Sequence, residues 1–380
     1  MSFQIISKKL PNSRIVWFAS SNQWVHLEEP AWFILSLLKK GQSTQNISLK
    51  FSSKYKLPTG ESEHFVKEIT GMLVELEKPV TLQLKNDDPI ESLNSLKYTP
   101  FATRNYLINK KNIFISYDSR ISEYYIHPSL AHLETCLALN SDAYFGIFQH
   151  KEKYILQKKN NPSFTFTADN YSQLKRKLFI EVANIIYNKN SRHWMSFLHA
   201  SGISNGKETI LLSSASGSGK STMAALLQAR GLQLVSDDFI PMDASNNHAF
   251  PFPAAISVKK AGFSVLSPYY GNLKDENYNL YPYTHKSVRY LKPLPDSTFS
   301  YKSGPVRSLI FIRYNPETSC ELTLLSIPDA LKLFHEQSWV SHNADHARAF
   351  INWFVKLKCF RLDYSDNEKG IDAVMGRFTE

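Results

Sequence analysis

At 380 residues, with 43% apolar and 21% charged side chains, the chain has the material for a substantial core, which excludes a disordered tail or a fibrous repeat. Its formal net charge of +10 favours anionic partners, and three widely spaced cysteines, Cys136, Cys320 and Cys359, offer no metal-ligand pattern. No apolar run nears the ~20 residues that cross a bilayer, and the first residues lack a signal-peptide pattern, so a cytoplasmic chain with no membrane partner is expected.

Residues 1–85 predict a winged-helix-like domain. Residues 14–18 (RIVWF) and 24–27 (WVHL) are β-branched and aromatic about a Ser/Asn turn, which predicts two strands. Trp32, Leu35 and Leu38 then share a helical face that Gly41 ends. Thr44 is placed to cap a second helix carrying Ile47, Phe51 and Tyr55. A third helix carries Phe65, Ile69, Met72, Leu73 and Leu76 on one side. Residues 86–96 (NDDPIESLNSL), polar with a proline, predict a linker.

Residues 97–190 predict a β-rich subdomain with one helix. Strands are expected at 113–117, 124–126, 144–148 and 154–157, and the helix at 170–187, where Leu174, Leu178 and Val182 repeat every four residues. Lys175, Arg176 and Lys177, the densest basic cluster, fall on that helix and read as a solvated face. With no zinc-finger or RNA-binding signature beside it, the charge does not predict a nucleic-acid partner.

Residues 191–380 carry the chemistry. A buried-strand pattern at 208–212 runs into Ser213-Ser214-Ala215-Ser216-Gly217-Ser218-Gly219-Lys220-Ser221-Thr222 and then a helix at 223–228, the context a Walker A phosphate loop requires. Consecutive backbone N–H groups and a helix N-terminus stabilise phosphate anions there, and Gly217 and Gly219 admit the backbone conformations needed. Ser216, Gly217, Ser218, Gly219, Lys220, Ser221 and Thr222 are the expected nucleotide-binding residues, with Lys220 on the β- and γ-phosphates and Ser221 on Mg²⁺. The motif asks for glycine where Ser214 stands. A second strand at 232–236 ends in Asp237-Asp238, and 237 − 220 = 17 residues place the pair one helix and one strand beyond Lys220. Two adjacent acids suit a division of labour, one binding Mg²⁺ and one taking a proton from an attacking hydroxyl.

Leu198-His199-Ala200-Ser201-Gly202, the SASGSGKST loop and Leu234-Val235-Ser236-Asp237-Asp238 resemble the HPr kinase/phosphorylase family, in whose catalytic domain a His-Gly/Ala strand, a phosphate loop and an Asp-Asp pair occur in this order. A nearer likeness is to the HPr-kinase-like proteins of ribosomal peptide biosynthesis, lasso-peptide kinases among them. It includes Phe250-Pro251-Phe252-Pro253 with residues 256–259, and residues 307–314 and 360–364. It covers residues 97–380, with its specific motifs in 198–260. The resemblance implies an α/β fold with a P-loop kinase core of the HPr kinase/phosphoenolpyruvate carboxykinase type, using ATP and Mg²⁺. It implies Asp237 as general base, Asp238 and Ser221 as Mg²⁺ ligands, and Lys220 as the phosphate cation. His199 would sense or orient the γ-phosphate, or be structural. Arg289 is a candidate transition-state cation, or a surface arginine. The family's Leu-Glu-Ile-Arg-Gly signature corresponds here to Ile256-Ser257-Val258-Lys259-Lys260, so Ser257 stands where the family has a metal-assisting glutamate.

Residues 15–85 resemble the PqqD-like peptide-recognition domains of the same pathways, on the strength of Trp24-Val25-His26-Leu27-Glu28-Glu29-Pro30-Ala31-Trp32-Phe33-Ile34 and the two helices after it. Those domains dock a leader peptide as an added strand; a dimerising or purely structural winged helix is the alternative. The expected activity is an ATP-dependent kinase acting on a serine or other hydroxyl of a precursor peptide. An HPr-type or small-molecule hydroxyl kinase and a non-catalytic nucleotide-binding peptide chaperone are the alternatives. True HPr kinases form hexamers, and nothing in this sequence fixes whether the chain is a homo-oligomer.

Overall fold

The computed structural model describes residues 3–79, 96–136, 140–159, 164–215, 217–270, 273, 279–280, 287–294, 303–334 and 338–378. Residues 86–95 of the expected linker and Ser216 of the loop lie outside them. The chain is a mixed α/β protein with several sheets, divided into two compact units.

One unit comprises residues 1–85, 327–335 and 340–356. It opens with an antiparallel sheet of β1 (Ile5–Lys9), β2 (Ser13–Phe18) and β3 (Gln23–Glu28), in that order. Two of these strands are the expected ones; β1 was not predicted. Helices α1 (Glu29–Leu38), α2 (Thr44–Tyr55) and α3 (Thr59–Glu77) come next. The cap of α2 is Ser43 rather than Thr44, because Ser43 keeps an extended backbone while its side chain accepts from Asn46 N at 3.3 Å. Val16, Phe18, Ile34, Leu35, Phe51, Val66 and Leu73 form the core. Met72, expected on the apolar face of α3, is instead 58% exposed; Leu73 takes the inward position beside it. The helices Ile327–Phe334 and Ala344–Phe354 also belong here, although the sequence reading groups them with 191–380. Trp24 packs on Phe350 with ring centroids 5.1 Å apart, and Lys8 Nζ donates to Asn352 Oδ1 at 2.8 Å.

The other unit begins with a five-stranded sheet in the order β4 (Ala102–Ile108), β5 (Lys111–Tyr117), β6 (Ala143–His150), β7 (Lys153–Lys158) and β8 (Phe164–Ala168). The strand expected at 124–126 is part of a helix, α4 (Arg120–Ile126). Its aromatic residues favour a strand, but Ser119 and Ser122 form a reciprocal capping box that starts a helical turn. Helix α5 (Tyr171–Ile186), capped by Asn170 onto Gln173 N at 2.9 Å, lays Leu174, Leu178 and Val182 on this sheet. The same core continues into Trp194, Phe197, Phe239 and Phe252, so no break in packing separates residues 97–190 from the strands beyond them.

A larger sheet then carries the second core. It includes β9 (Trp194–Leu198), β10 (Ser201–Ser204), β11 (Thr209–Ser213), β12 (Gln233–Ser236), β13 (Ile240–Asp243) and β14 (His248–Ala249). A separate small sheet holds β15 (Ile256–Lys259), β16 (Asn279–Leu280) and β17 (Ser287–Leu291). The long β18 (Gly304–Tyr314), β19 (Cys320–Leu324) and β20 (Lys358–Tyr364) return to the large sheet. Around its centre the order is β12-β10-β11-β18-β20, with β11, β18 and β20 mutually parallel and β10 antiparallel to both neighbours. Helix α6 (Lys220–Ala229) packs Met223, Ala224 and Leu227 against Ile210, Leu212, Ile310 and Leu362. Among the described residues no helix is long and apolar enough to cross a membrane.

Candidate functional site

The site grows from the junction of β11 and α6. Every residue of β11 is buried, so the chain leaves the sheet at a fixed point and direction. Two glycines turn it: Gly217 at φ +95° and Gly219 at φ +97° occupy the left-handed region that side chains disfavour. A Cβ on Gly219 would also sit 3.1 Å from Tyr364 Oη. Ser218 N donates to Ala215 O at 3.2 Å, and Tyr314 N donates to Ser218 O at 3.2 Å, tying the turn to the end of β18. Gly219 caps α6 without any side-chain hydrogen bond, so the first-turn amides stay available to an anion.

Lys220 is buried, and its ammonium bonds the Asp238 carboxylate while lying 3.9 Å from Asp237 Oδ1. Burial opposes its charge, but Asp238 and Asp237 outweigh that and hold its pKa above the ordinary lysine value. Asp237 is only 3% exposed. Its Oδ1 accepts from the Ser201 hydroxyl, and its Oδ2 accepts from Ser221 Oγ at 2.9 Å and Ser257 N at 3.2 Å. Burial and the adjacent Asp238 raise its pKa against the pull of Lys220. Asp238 differs sharply: its side chain is 42% exposed and its backbone sits at φ +64°, a conformation that aspartate tolerates better than most residues. Desolvation works against its ionisation, yet Lys220 and His199 together bring its pKa below the usual aspartate value. His199 Nδ1 lies 3.3 Å from Asp238 O and 3.7 Å from Oδ1.

Gly217, Gly219, Lys220, Ser221, Thr222, Asp238 and His199 thus line one cavity of about 510 Å³, together with Ser257 and Lys259. Among the described residues three expected site residues, Asp237, Arg289 and Ser218, are not part of its lining. Asp237 stands behind Ser221, and Arg289 is buried in β17, its guanidinium 4.9 Å over the Phe263 ring. The register explains Arg289: it pairs with Val258, whereas Tyr290 pairs with Ser257, so Arg289 takes Val258's face. Ser218 contributes through its backbone bonds.

Three signals were missed in the sequence. Lys259 brings its ammonium within 3.7 Å of where a Gly217 Cβ would be, a second cation over the loop. Lys175, read as solvated, is half-buried, its ammonium 5.3 Å from the Phe179 ring and 5.8 Å from the Tyr290 ring, and it interacts electrostatically with Asp238. Burial pushes its pKa down to about 8, partly offset by Asp238. Helical phase held the clue, since Lys175 is three residues before the buried Leu178 and four before Phe179. Finally, Tyr314 and Tyr364 enter from strands distant in sequence.

Among the described residues no cluster of three or more His, Cys, Asp or Glu is placed to hold a metal. The Ser221 hydroxyl and the two carboxylates are hard oxygen donors beside an anion cradle. They fit a Mg²⁺ ion completed by phosphate oxygens and water rather than by an all-protein cage. The chain matches no protein-family model and no curated protein sequence.

Proposed function

We propose that the chain is an ATP-dependent kinase of the HPr-kinase-like type, with a P-loop core, transferring phosphate to a hydroxyl, and that its acceptor is a serine of a ribosomally made precursor peptide. The observation that carries this reading is an exposed Asp238, backed by an enclosed Asp237, beside a glycine-turned, lysine-bearing anion cradle. The cradle alone suits a binding protein; the exposed carboxylate beside it adds a group able to accept a proton from an acceptor hydroxyl.

The geometry favours dividing the pair the other way from the sequence expectation. Asp238, exposed to the cavity, suits the base, while Asp237, enclosed and bonded to Ser221, suits the metal side. In the proposed step, loop amides, Lys220 and Lys259 hold the triphosphate. An acceptor hydroxyl gives its proton to Asp238 as its oxygen attacks the γ-phosphorus in line, and the bond from that phosphorus to the bridging oxygen breaks, releasing ADP. Ser221 and Asp237 would hold Mg²⁺, which would supply charge neutralisation to the triphosphate. His199 orients the Asp238 peptide through its carbonyl.

The front unit supports a peptide acceptor. β3 is an edge of its sheet, and an added strand gains main-chain hydrogen bonds there. A winged-helix, PqqD-like reading of this unit is part of the same proposal. The test is mass spectrometry of serine-containing peptides encoded beside this gene after incubation with the protein, ATP and Mg²⁺. One added phosphate on a serine is the expected result. ATP consumption with no peptide modified would overturn the peptide acceptor, and no ATP binding would overturn the kinase.

A further inference from the structure

From the sheet order, we infer that the end of the cavity walled by Tyr314, Tyr364 and Asn367 receives the base and ribose of the phosphate donor, with the base stacked on the Tyr314 ring. This rests on the kinase reading above and adds to it where the donor's base sits and that the base itself contributes to the affinity, so a bare polyphosphate binds less tightly. The phosphate loop comes directly after β11. On one side, beyond β10, β12 ends in the two aspartates; on the other, β18 and β20 end in Tyr314 and Tyr364. A linear polyphosphate whose reacting end faces the acids therefore runs its other end toward the aromatic side.

The aromatic side is built to receive something. Residues 309–312 of β18 are buried, but Tyr314 at the strand end is 53% exposed, an aromatic ring open to the cavity. Its backbone bond to Ser218 ties the strand end that carries the ring to the phosphate loop. Tyr364 meets it edge-on, with centroids 5.8 Å apart, leaving the ring in a set orientation. Tyr364 itself is buried, with its hydroxyl beside Gly219 on the cavity lining. Burial pushes its pKa up to about 12, so it remains a donor. Asn367, on the same wall, offers an amide that both donates and accepts. The cavity's volume of about 510 Å³ lies within the ~300–1,000 Å³ range of sites that enclose a whole small ligand.

Calorimetric titration of the full chain with ATP and with inorganic tripolyphosphate, each with Mg²⁺, tests the inference. The wild-type protein should bind ATP at least tenfold more tightly than tripolyphosphate. Tyr314→Ala should weaken ATP about tenfold, the loss typical of one stacked base, and leave tripolyphosphate within about twofold; Tyr314→Phe should retain ATP affinity. Equal binding of both probes by the wild-type protein, or an equal effect of Tyr314→Ala on both, would overturn the base site and leave the kinase reading standing. Failure of the wild-type protein to bind either probe would overturn the kinase reading, and the inference with it. Unchanged tripolyphosphate binding also certifies that the variant is folded.

Discussion

The Ser221 hydroxyl donates to the Asp237 carboxylate across 2.9 Å, joining the first turn of α6 to the end of β12. The same carboxylate takes the Ser201 hydroxyl and the Ser257 amide, so it braces three segments at once. Asp237→Ala leaves the buried Ser201 hydroxyl and the half-buried Ser221 and Ser257 donors without that acceptor and should destabilise the fold by about 2 kcal/mol. Asp237→Asn keeps one carbonyl oxygen and should lose less, while making nucleotide affinity nearly independent of Mg²⁺. Denaturant unfolding and titration with and without the metal check both statements. Equal stability of the alanine variant and the wild type would remove the brace.

Asp238 makes the complementary case. Asn accepts its left-handed backbone as readily as aspartate, so Asp238→Asn should fold normally. Its turnover should fall at least a hundredfold, the usual worth of a general base, with nucleotide affinity held within a few-fold. Single-turnover phosphate transfer and direct titration separate the two quantities. If Asp237→Asn lost turnover and Asp238→Asn kept it, the assignment of Asp237 as base would be restored.

The range of each signal decides which features the sequence made legible and which it hid. The loop at 213–222, helix α6 and the Asp237-Asp238 pair are local: strand, turn glycines and helix lie within some twenty residues, and their spacing alone brings them together. The helical phase of α5 was equally local. Tyr314 and Tyr364 were not, because parallel pairing of β11, β18 and β20 joins segments far apart in the chain, and no short pattern marks which strand end will face the loop. Residues 124–126 failed for another reason: β propensity is weak beside the capping box just before them, at Ser119 and Ser122. Arg289 failed by register, one position from the face that meets Ser257.

Lys220→Ala should damage binding and turnover together, in contrast to Asp238→Asn. The lysine lies between the loop and both carboxylates, so its removal also takes away the ammonium that bonds Asp238 and lies 3.9 Å from Asp237. Because its folded pKa is raised, its contribution to stability is complete below the unfolded lysine value of ~10.4 and fades only as pH climbs through the higher folded one. The variant should therefore melt below the wild type throughout pH 6–9. A variant that melts as the wild type does across that interval would show the pair to be unimportant for stability.

Lys175 should trade stability for activity in the opposite sense. Its pKa is pushed down to about 8 by burial, so between that value and the unfolded ~10.4 the unfolded chain binds more protons than the folded one. Stability contributed by this group therefore rises with pH across that window, and below about pH 8 the full penalty of a half-buried charge is present. Lys175→Met removes the penalty and keeps the packing beside Phe179, so it should raise the melting temperature at pH 7, with the advantage narrowing toward pH 10. Yet the variant also withdraws a cation that faces Asp238, the proposed base, and turnover should drop several-fold with nucleotide affinity unchanged. Paired melting curves at pH 7 and 10, with turnover at pH 7, check the trade. A melting temperature at pH 7 equal to or below that of the wild type would mean that the lysine is well solvated after all, as its place in a run of three basic residues implies.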